Sequence, residues 1–130
     1  MSIGILLATA AAGGIGAALR YVVDQLLTSA RHRGFPVGIL VVNITGSLAL
    51  GVLTGLGSLL ASDLAVIFGV GLLGGYTTFS TVHVETVLLA QRGRWRQALL
   101  NLFGSLFLTV LAAALGVTLG IGFADIITTN

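Results

Sequence analysis

Residues 71–85 read GLLGGYTTFSTVHVE, and this segment decides how the rest of the chain is arranged. It lies within the third of four long apolar segments, yet it combines glycines and hydroxyls with aromatic residues, a histidine and a carboxylate. Polar side chains and irregular backbone persist at membrane depth only where they are buried in protein or line a water-filled cavity. The segment therefore indicates a pathway or a binding site inside a membrane.

The composition places the chain among integral membrane proteins. Of its 130 residues, 56% are hydrophobic and 8% are charged, lysine is absent, and the mean hydropathy is +1.10. A soluble domain does not tolerate that balance. Cysteine is also absent, which excludes disulfide, thiolate and cysteine-based metal chemistry. Such a chain has no room for a soluble catalytic or nucleotide-binding module, and we expect no enzymatic activity.

Hydropathy and turn residues predict one membrane domain, residues 1–130, with four spans. The N-terminal apolar run lacks a positively charged n-region and is about as long as the ~20 residues that cross a bilayer, so we interpret it as a span rather than a cleaved signal. The predicted spans are residues 3–23, 37–60, 64–90 and 98–123. They are separated by a loop around 31–36, a turn at 62–63 and a basic hairpin at 91–97.

The pair Gly74 and Gly75 predicts a break of the third helix in mid-membrane. Glycine is a poor helix former, and the hydroxyl side chains that follow can replace lost backbone partners, as in the discontinuous helices of transporters. A break frees carbonyl oxygens for a hard cation, while the resumed helix directs its N-terminal N–H groups toward an anion. Helical spacing then gives two adjoining faces, one with Thr77 or Thr78, Thr81 and Glu85, the other with Phe79, Val82 and His83.

Each of these residues also has a plain structural explanation. Hydroxyls in helices bond back to their own backbone, and Phe79 would pack against lipid or the protein core. These explanations are favoured for any one residue taken alone. The clustering of the residues is what favours a functional site.

Arg20 and Asn43 are candidate functional residues in the first two spans. Arg20, beside Tyr21, fits an interfacial anchor whose charge reaches water, or a cation that draws an anion toward a vestibule. Asn43 lies about a turn and a half into the second span, where its amide must bond a neighbouring helix or a permeating species. From these residues alone, the anchor and helix packing are the favoured interpretations.

Small and polar residues suggest how the helices pack. Three glycine pairs are spaced for close approach of helix backbones: Gly51 with Gly55, Gly71 with Gly75, and Gly116 with Gly120. They predict tight packing and oligomerisation, although a chain with 19 glycines produces such spacings by chance. In the fourth span Asn101, Ser105 and Thr109 lie on one polar line. They either bond a neighbouring helix, which is the favoured interpretation, or face a pore.

Three motifs occur in order along the chain. They are GGIGAALRY at residues 13–21, P-V-G-x-x-x-V-N-x-x-G-S at 36–47 and GGYTTFSTxxxE at 74–85. Together they resemble the Fluc (CrcB) family of fluoride channels; the third motif is highly specific, and the fourth span matches in general character only. The resemblance implies an antiparallel dimer of four-helix subunits with two parallel pores and a central structural sodium ion. It implies passive export of cytoplasmic fluoride across the inner (plasma) membrane.

The resemblance also implies roles for individual residues. The implied pore residues and their neighbours in the motif are Asn43, Phe79, Ser80, Thr81, Val82, His83 and Glu85. The carbonyl groups of Gly74 and Thr77 are the implied sodium ligands, and Arg20 lies at the vestibule. Amide and hydroxyl donors and the positive edge of an aromatic ring suit fluoride, because they replace its water without trapping it as a full positive charge would.

The sequence departs from the family pattern at three positions. A second phenylalanine and then a serine are usual where this chain has Val82 and His83, and Ile39 stands in place of a threonine. One of two aromatic edges is therefore missing. His83 is either a core or interface histidine or a titratable pore group. A metal site is not expected, because His32 lies in a different loop.

Two alternatives follow from these departures and from the four-span design. A non-conducting or half-conducting partner subunit of a heterodimeric fluoride channel would account for Val82 and His83. A small multidrug-type antiporter is also a four-span antiparallel dimer, but its mechanism needs a carboxylate in the first span, and residues 3–23 contain none.

The arginines predict a single orientation in the membrane. Three flank the first loop and three lie in the hairpin, whereas the termini and the turn at 62–63 have none: Arg20, Arg31, Arg33, Arg92, Arg94 and Arg96. Arginine in short loops sets orientation, so loops 24–36 and 91–97 are predicted to be cytoplasmic and both termini outside. A chain with this bias would pair with an oppositely inserted relative rather than with itself.

Overall fold

The regular structure of the protein is helical throughout residues 2–29 and 35–129, which are the residues that the computed structural model describes. Four stretches are long and apolar enough to cross a membrane: Ile3–Thr28, Val37–Gly55, Ser62–Gln91 and Trp95–Thr129. The prediction of a helical, multi-pass membrane protein with four spans is confirmed. The predicted loop residues Arg31, His32 and Arg33 lie outside the described residues.

The first two spans differ from the predicted boundaries at their C-terminal ends. Helix α1, Ile3–Ser29, continues past Val23, because the polar residues that follow do not include a helix breaker. Helix α2, Val37–Gly55, ends earlier than predicted and is followed by a short 3-10 turn, Gly57–Leu59. Gly57 has φ 52°, a left-handed conformation that favours glycine, so backbone geometry ends this helix where hydropathy does not change.

The third span contains helices α3 and α4. Helix α3, residues 62–76, has an α-helical turn Ser62–Ala65, a π-helical stretch Val66–Leu73 and a final piece Gly74–Tyr76. Helix α4 is Ser80–Gln91. Between them Thr77 has extended backbone, with φ −78° and ψ 154°.

The fourth span is one long helix, α5, in three consecutive pieces. It begins with Trp95–Leu99, passes through a π-helical turn Leu100–Gly104 and continues as Ser105–Thr129. It starts earlier than predicted because the hairpin is tight, with Gly93 at φ 73°. The π-helical turn lies where α5 passes α4, and such turns occur preferentially near functional sites.

Glycine pairs let the helices approach each other closely inside the chain. An added Cβ at Gly51 of α2 would collide with the carbonyl oxygen of Ala113 on α5, and one at Gly116 would collide with the backbone of α2. An added Cβ at Gly75 would collide with the carbonyl oxygen of Gly13, so α3 lies directly against α1. The three predicted glycine pairs are therefore used in contacts within the subunit.

The interior of the subunit is small. The largest fully buried side chains among the described residues are those of Val42, Val82 and Asn101. Most large apolar side chains on α1 and α5 remain exposed, as expected for helices that face lipid or another subunit. The small interior therefore also contains buried polar residues, which are Asn43, Thr78, Asn101 and Ser105.

Candidate functional site: a polar cavity beside the third span

The side chain of Asn43 is paired with the backbone of Thr78. Asn43 Nδ2 donates to the Thr78 carbonyl oxygen at 2.7 Å, and the Thr78 N–H donates to Asn43 Oδ1 at 2.8 Å. Both residues are buried. An amide that both donates and accepts satisfies the two backbone groups of a residue that lies outside any helix.

The Thr78 side chain organises the start of α4. Its Oγ1 accepts a hydrogen bond from the Thr81 N–H at 3.3 Å and lies 3.1 Å from both the Ser80 and the Thr81 hydroxyl oxygens. A hydroxyl that accepts from the N–H three residues later caps a helix N-terminus. Ser80 and Thr81 are thus drawn into one hydroxyl cluster with Thr78, with Ser80 exposed and Thr81 half-buried.

The N–H groups of Thr78 and Thr81 are bonded to side chains. In a continuous α-helix these two donors would bond the carbonyl oxygens of Gly74 and Thr77. Here they donate instead to Asn43 Oδ1 and to Thr78 Oγ1. The Gly74 and Thr77 carbonyl groups therefore lose their usual helical donors.

The guanidinium group of Arg20 lies near one of these carbonyl groups. Arg20 Nη1 is 3.5 Å from the Thr77 carbonyl oxygen, a long hydrogen bond that joins α1 to the end of α3. Arg20 is half-buried. The contact places a fixed positive charge close to the connection between α3 and α4.

A cavity of about 220 Å³ lies next to this connection. Its lining comes from α2, α5 and the residues between α3 and α4: Asn43, Ser47, Thr77, Thr78, Phe79, Ser105 and Thr109. These residues offer amide, hydroxyl and aromatic groups, and none of them carries a formal charge. The cavity is therefore polar but uncharged, and its lining contains both hydrogen-bond donors and acceptors.

Ser105 is a lining residue whose buried hydroxyl has no hydrogen-bond partner among the described residues. Ser105 is 3% exposed, and within the described part of the chain its hydroxyl oxygen is buried with no hydrogen-bond partner. A buried hydroxyl without a partner costs free energy, and such a group calls for an explanation. The neighbouring Thr109 hydroxyl, in contrast, donates to the Ser105 carbonyl oxygen at 2.8 Å.

Asn101 is used for helix packing, which was its favoured interpretation. Its Nδ2 donates to the Val82 carbonyl oxygen at 3.1 Å and to the Thr86 hydroxyl oxygen at 2.9 Å. These bonds join α5 to α4 about one helical turn before Ser105, outside the cavity lining. The polar line of the fourth span is therefore divided, with Asn101 bonded to α4 while Ser105 and Thr109 line the cavity.

The three aromatic or substituted positions of the third-span motif lie in different surroundings. Phe79 lines the cavity and is 54% exposed, and His83 is exposed beside it. Val82 is 1% exposed and is buried within the subunit. Val82 therefore does not share the open face of Phe79 and His83, because α4 turns that position toward α5.

Glu85 lies on α4 beyond the hydroxyl cluster and is half-buried. It does not line the 220 Å³ cavity. Within the described ranges, no group of three or more histidine and carboxylate side chains could hold a metal ion.

Ser47 is the lining residue that the sequence analysis missed. It follows Asn43 at i+4 on α2, so both side chains lie on the same face of the helix. The polar residues Asn43 and Ser47, four positions apart in an otherwise apolar helix, could have predicted a shared polar face.

The family model of CrcB-like protein, Camphor Resistance (CrcB), matches residues 7–117 of this chain. The chain belongs to this family. The matched CrcB region contains the whole cavity lining, from Asn43 to Thr109. The resemblance that the three motifs indicated is thereby confirmed.

Curated relatives of this chain are named as fluoride-specific ion channels. The "Fluoride-specific ion channel FluC 1" of Leifsonia xyli subsp. xyli is 47% identical over 118 residues, which are 89% of this chain and 86% of that protein. The "Fluoride-specific ion channel FluC" of Shewanella sp. (strain W3-18-1) is 42% identical over 113 residues, 85% of this chain and 91% of that protein. A Shewanella baltica (strain OS185) relative with the same name is 41% identical. These relatives are ion channels and not enzymes, which agrees with the expectation for this chain.

Proposed function

We propose that this chain forms a fluoride-selective channel through which cytoplasmic fluoride leaves the cell passively. The observation that carries the proposal is the cavity beside Phe79, which is lined by uncharged amide, hydroxyl and aromatic groups between apolar helices. Fluoride is small and strongly hydrated, so a pore must replace its water with N–H and O–H donors and the positive edge of an aromatic ring. Membership of a family whose relatives are named fluoride channels supports the same ion.

Fluoride efflux from liposomes tests whether the chain conducts. The purified protein is reconstituted in liposomes loaded with potassium fluoride, and external fluoride is followed with an electrode after a potassium ionophore is added. A passive channel releases fluoride without an imposed proton gradient and retains chloride under the same conditions. Efflux that requires a proton gradient would favour the antiporter alternative, and absence of efflux would favour the non-conducting subunit.

A break of the third helix in mid-membrane belongs to this proposal. It is supported by the extended backbone of Thr77 and by the bonds that the Thr78 and Thr81 N–H groups make to side chains. Asn43 supplies from α2 the hydrogen bonds that the helix itself does not make. Irregular backbone is tolerated at such depth where protein covers it.

A structural sodium ion is proposed at the carbonyl groups of Gly74 and Thr77. The fit rests on two carbonyl oxygens whose helical donors are bonded elsewhere, and carbonyl oxygen is a suitable ligand for a hard cation. Hard cations take more than two such ligands, so a second subunit would supply the others. Arg20 engages Thr77 at long distance only, which leaves a lone pair of that oxygen for a cation. Bound there, sodium would join subunits rather than drive transport.

The sodium proposal is tested by replacing sodium with N-methylglucamine throughout purification. The subunits are then expected to dissociate already at higher protein concentration, measured by cross-linking yield against dilution. Equal cross-linking with and without sodium would refute a joining role for the ion.

An antiparallel dimer is proposed because one subunit leaves polar groups uncovered. Ser80 and His83 are exposed, and Phe79 is 54% exposed, at a depth where lipid would surround a lone chain. Polar groups there must face protein or water, so a second four-span subunit is expected to cover this face. The protein would reside in the inner (plasma) membrane, with the loop regions 24–36 and 91–97 cytoplasmic and both termini outside.

A second candidate function is that of a half-conducting partner in a heterodimer. The observation that favours it is the placement of Val82, which is buried within its own subunit and offers no aromatic edge to a pore. The one-sided arginine distribution supports a partner of opposite orientation. Such a chain would give full fluoride efflux only when it is reconstituted together with a paralogue.

A further inference from the structure

Phe79 directly precedes α4, and its ring has few restraints. The residues just before it, Thr77 and Thr78, lie outside the helices, and more than half of its surface, 54%, is exposed. An aromatic ring in such a position can take several rotamers. Yet the function proposed for this residue needs the ring in one orientation beside the cavity.

His83 contacts Phe79 in two ways. Its Nδ1 lies 2.9 Å from the Phe79 carbonyl oxygen, and its backbone N–H donates to the same oxygen at 3.2 Å. A carbonyl oxygen only accepts and has two lone pairs, so Nδ1 carries the hydrogen in this contact. The rings of the two residues meet edge to face, with centroids 4.4 Å apart and an interplanar angle of 77°.

We propose that His83 is a positioning residue for the Phe79 ring. The bond from Nδ1 fixes the histidine ring on the first turn of α4, and the edge-to-face contact then restricts the phenylalanine ring to the orientation in which it lines the cavity. Edge-to-face pairs are a preferred geometry of aromatic rings. The inference rests on the proposed role of Phe79 in the fluoride pathway, and it gives His83 a role that requires no change of its charge.

Three substitutions separate the two contacts. His83→Ala removes both, His83→Phe keeps a ring without the donor, and His83→Asn keeps an N–H donor without the ring. Val84→Ala is the matched control, since Val84 is the next residue on α4 and is also exposed. In liposomes His83→Ala is expected to lower fluoride efflux about two- to tenfold, the range that an aromatic pair contributes. His83→Phe should restore most of it, His83→Asn less, and Val84→Ala should match the parent.

The orientation of the ring is measured separately with 4-fluorophenylalanine incorporated at position 79 alone. The parent is expected to give one sharp ¹⁹F resonance, and His83→Ala is expected to shift and broaden it, with His83→Phe returning it toward the parent line. This signal does not depend on conduction, so a parent that fails to conduct refutes the proposed function while the resonance still tests the positioning. A His83→Ala spectrum identical to the parent overturns the inference, as does undiminished efflux in a conducting parent background.

Discussion

Asn43 of α2 and Thr78, in the connection between α3 and α4, form a reciprocal pair, with each residue donating one hydrogen bond and accepting one at 2.7 and 2.8 Å. The two residues are 35 positions apart in the sequence. Because buried backbone groups must be satisfied, the Asn43 side chain bonds the N–H and carbonyl groups of Thr78, as neighbouring turns would in a continuous helix. Phe79 and the cavity are positioned by that pair.

Asn43→Asp is expected to abolish fluoride efflux while the protein still elutes at its normal position in gel filtration. The carboxylate accepts from the Thr78 N–H but has no hydrogen for the Thr78 carbonyl oxygen, and it places negative charge at the cavity. The unpaired carbonyl costs about 1–3 kcal/mol of folding free energy. Thr54→Ala is the control, because that exposed hydroxyl on α2 bonds its own helix. Normal efflux in Asn43→Asp would show that Asn43 has no part in the pathway.

Phe79→Ile is expected to remove efflux with no change in assembly. Isoleucine keeps an apolar side chain of similar reach but has no ring edge to offer an anion. Phe103→Ile is the matched control, since Phe103 is 60% exposed on α5 and does not line the cavity. The comparison is made by fluoride electrode at equal protein-to-lipid ratio, and equal rates for both variants would contradict the assignment of Phe79.

Ser105→Ala is expected to leave the thermal stability of the protein unchanged or slightly raised. The Ser105 hydroxyl has no partner in the described part of the chain, so its removal breaks no hydrogen bond and is neutral or slightly stabilising. Asn101→Ala provides the contrast, because it loses bonds to Val82 and Thr86. A clear loss of stability in Ser105→Ala, measured by thermal unfolding in detergent, would mean that the hydroxyl is structural.

Gly51→Ala is expected to destabilise the subunit by about 1–3 kcal/mol or more, because the added methyl group meets the Ala113 carbonyl oxygen across the α2–α5 contact. Gly122→Ala is the matched control, since nothing lies within 4 Å of the position its Cβ would take. That control should be neutral or stabilising by up to about 1 kcal/mol, as expected for alanine in a helix. The free energies are obtained from denaturant titrations of the solubilised protein. Equal stability of the two variants would exclude tight α2–α5 packing.

A C-terminal topology reporter at native expression level is expected to place both termini outside. The predicted topology puts six arginines on one side of the membrane and none on the other, although Arg31 and Arg33 fall outside the described residues. The matched test weakens the bias by exchanging Arg92, Arg94 and Arg96 for glutamine, which leaves three arginines against none and should raise the fraction of inverted chains. Fluoride resistance is measured in parallel in cells carrying this chain alone or with an oppositely oriented relative. Equal insertion both ways by the parent chain, or full resistance from it alone, would contradict the predicted bias.

Hydropathy identified the four spans, because burial in lipid depends on apolar length alone. Helix ends were less accurate, because they depend on backbone conformation: Gly57 ends the α2 region with a positive φ inside a stretch that is still apolar. The π-helical parts of α3 and α5 could not be predicted, because the same residues are compatible with an α-helix. The glycine pairs were recognised as contact sites, but only the structure shows which helix each pair meets.

Much of the candidate site could be identified from residue types, whereas the directions of the side chains could not. Asn43 and Phe79 were expected to be close, and both line the cavity. Val82 was grouped with Phe79 and His83 by helical spacing, yet it is buried whereas both of those residues are exposed. Ser105 and Asn101 looked equivalent in sequence, and only the position of α4 makes one a packing residue and the other an unpartnered hydroxyl.

The Asn43–Thr78 pair also has a consequence for biosynthesis. Chains are made from the N-terminus, so α2 has been synthesised before Thr78 leaves the ribosome. The polar stretch after α3 thus finds its amide partner as soon as it arrives, whereas Asn101, which fastens α4 from the other side, is made later. The vulnerable interval in the assembly of this subunit is therefore the time between the synthesis of α4 and the arrival of α5.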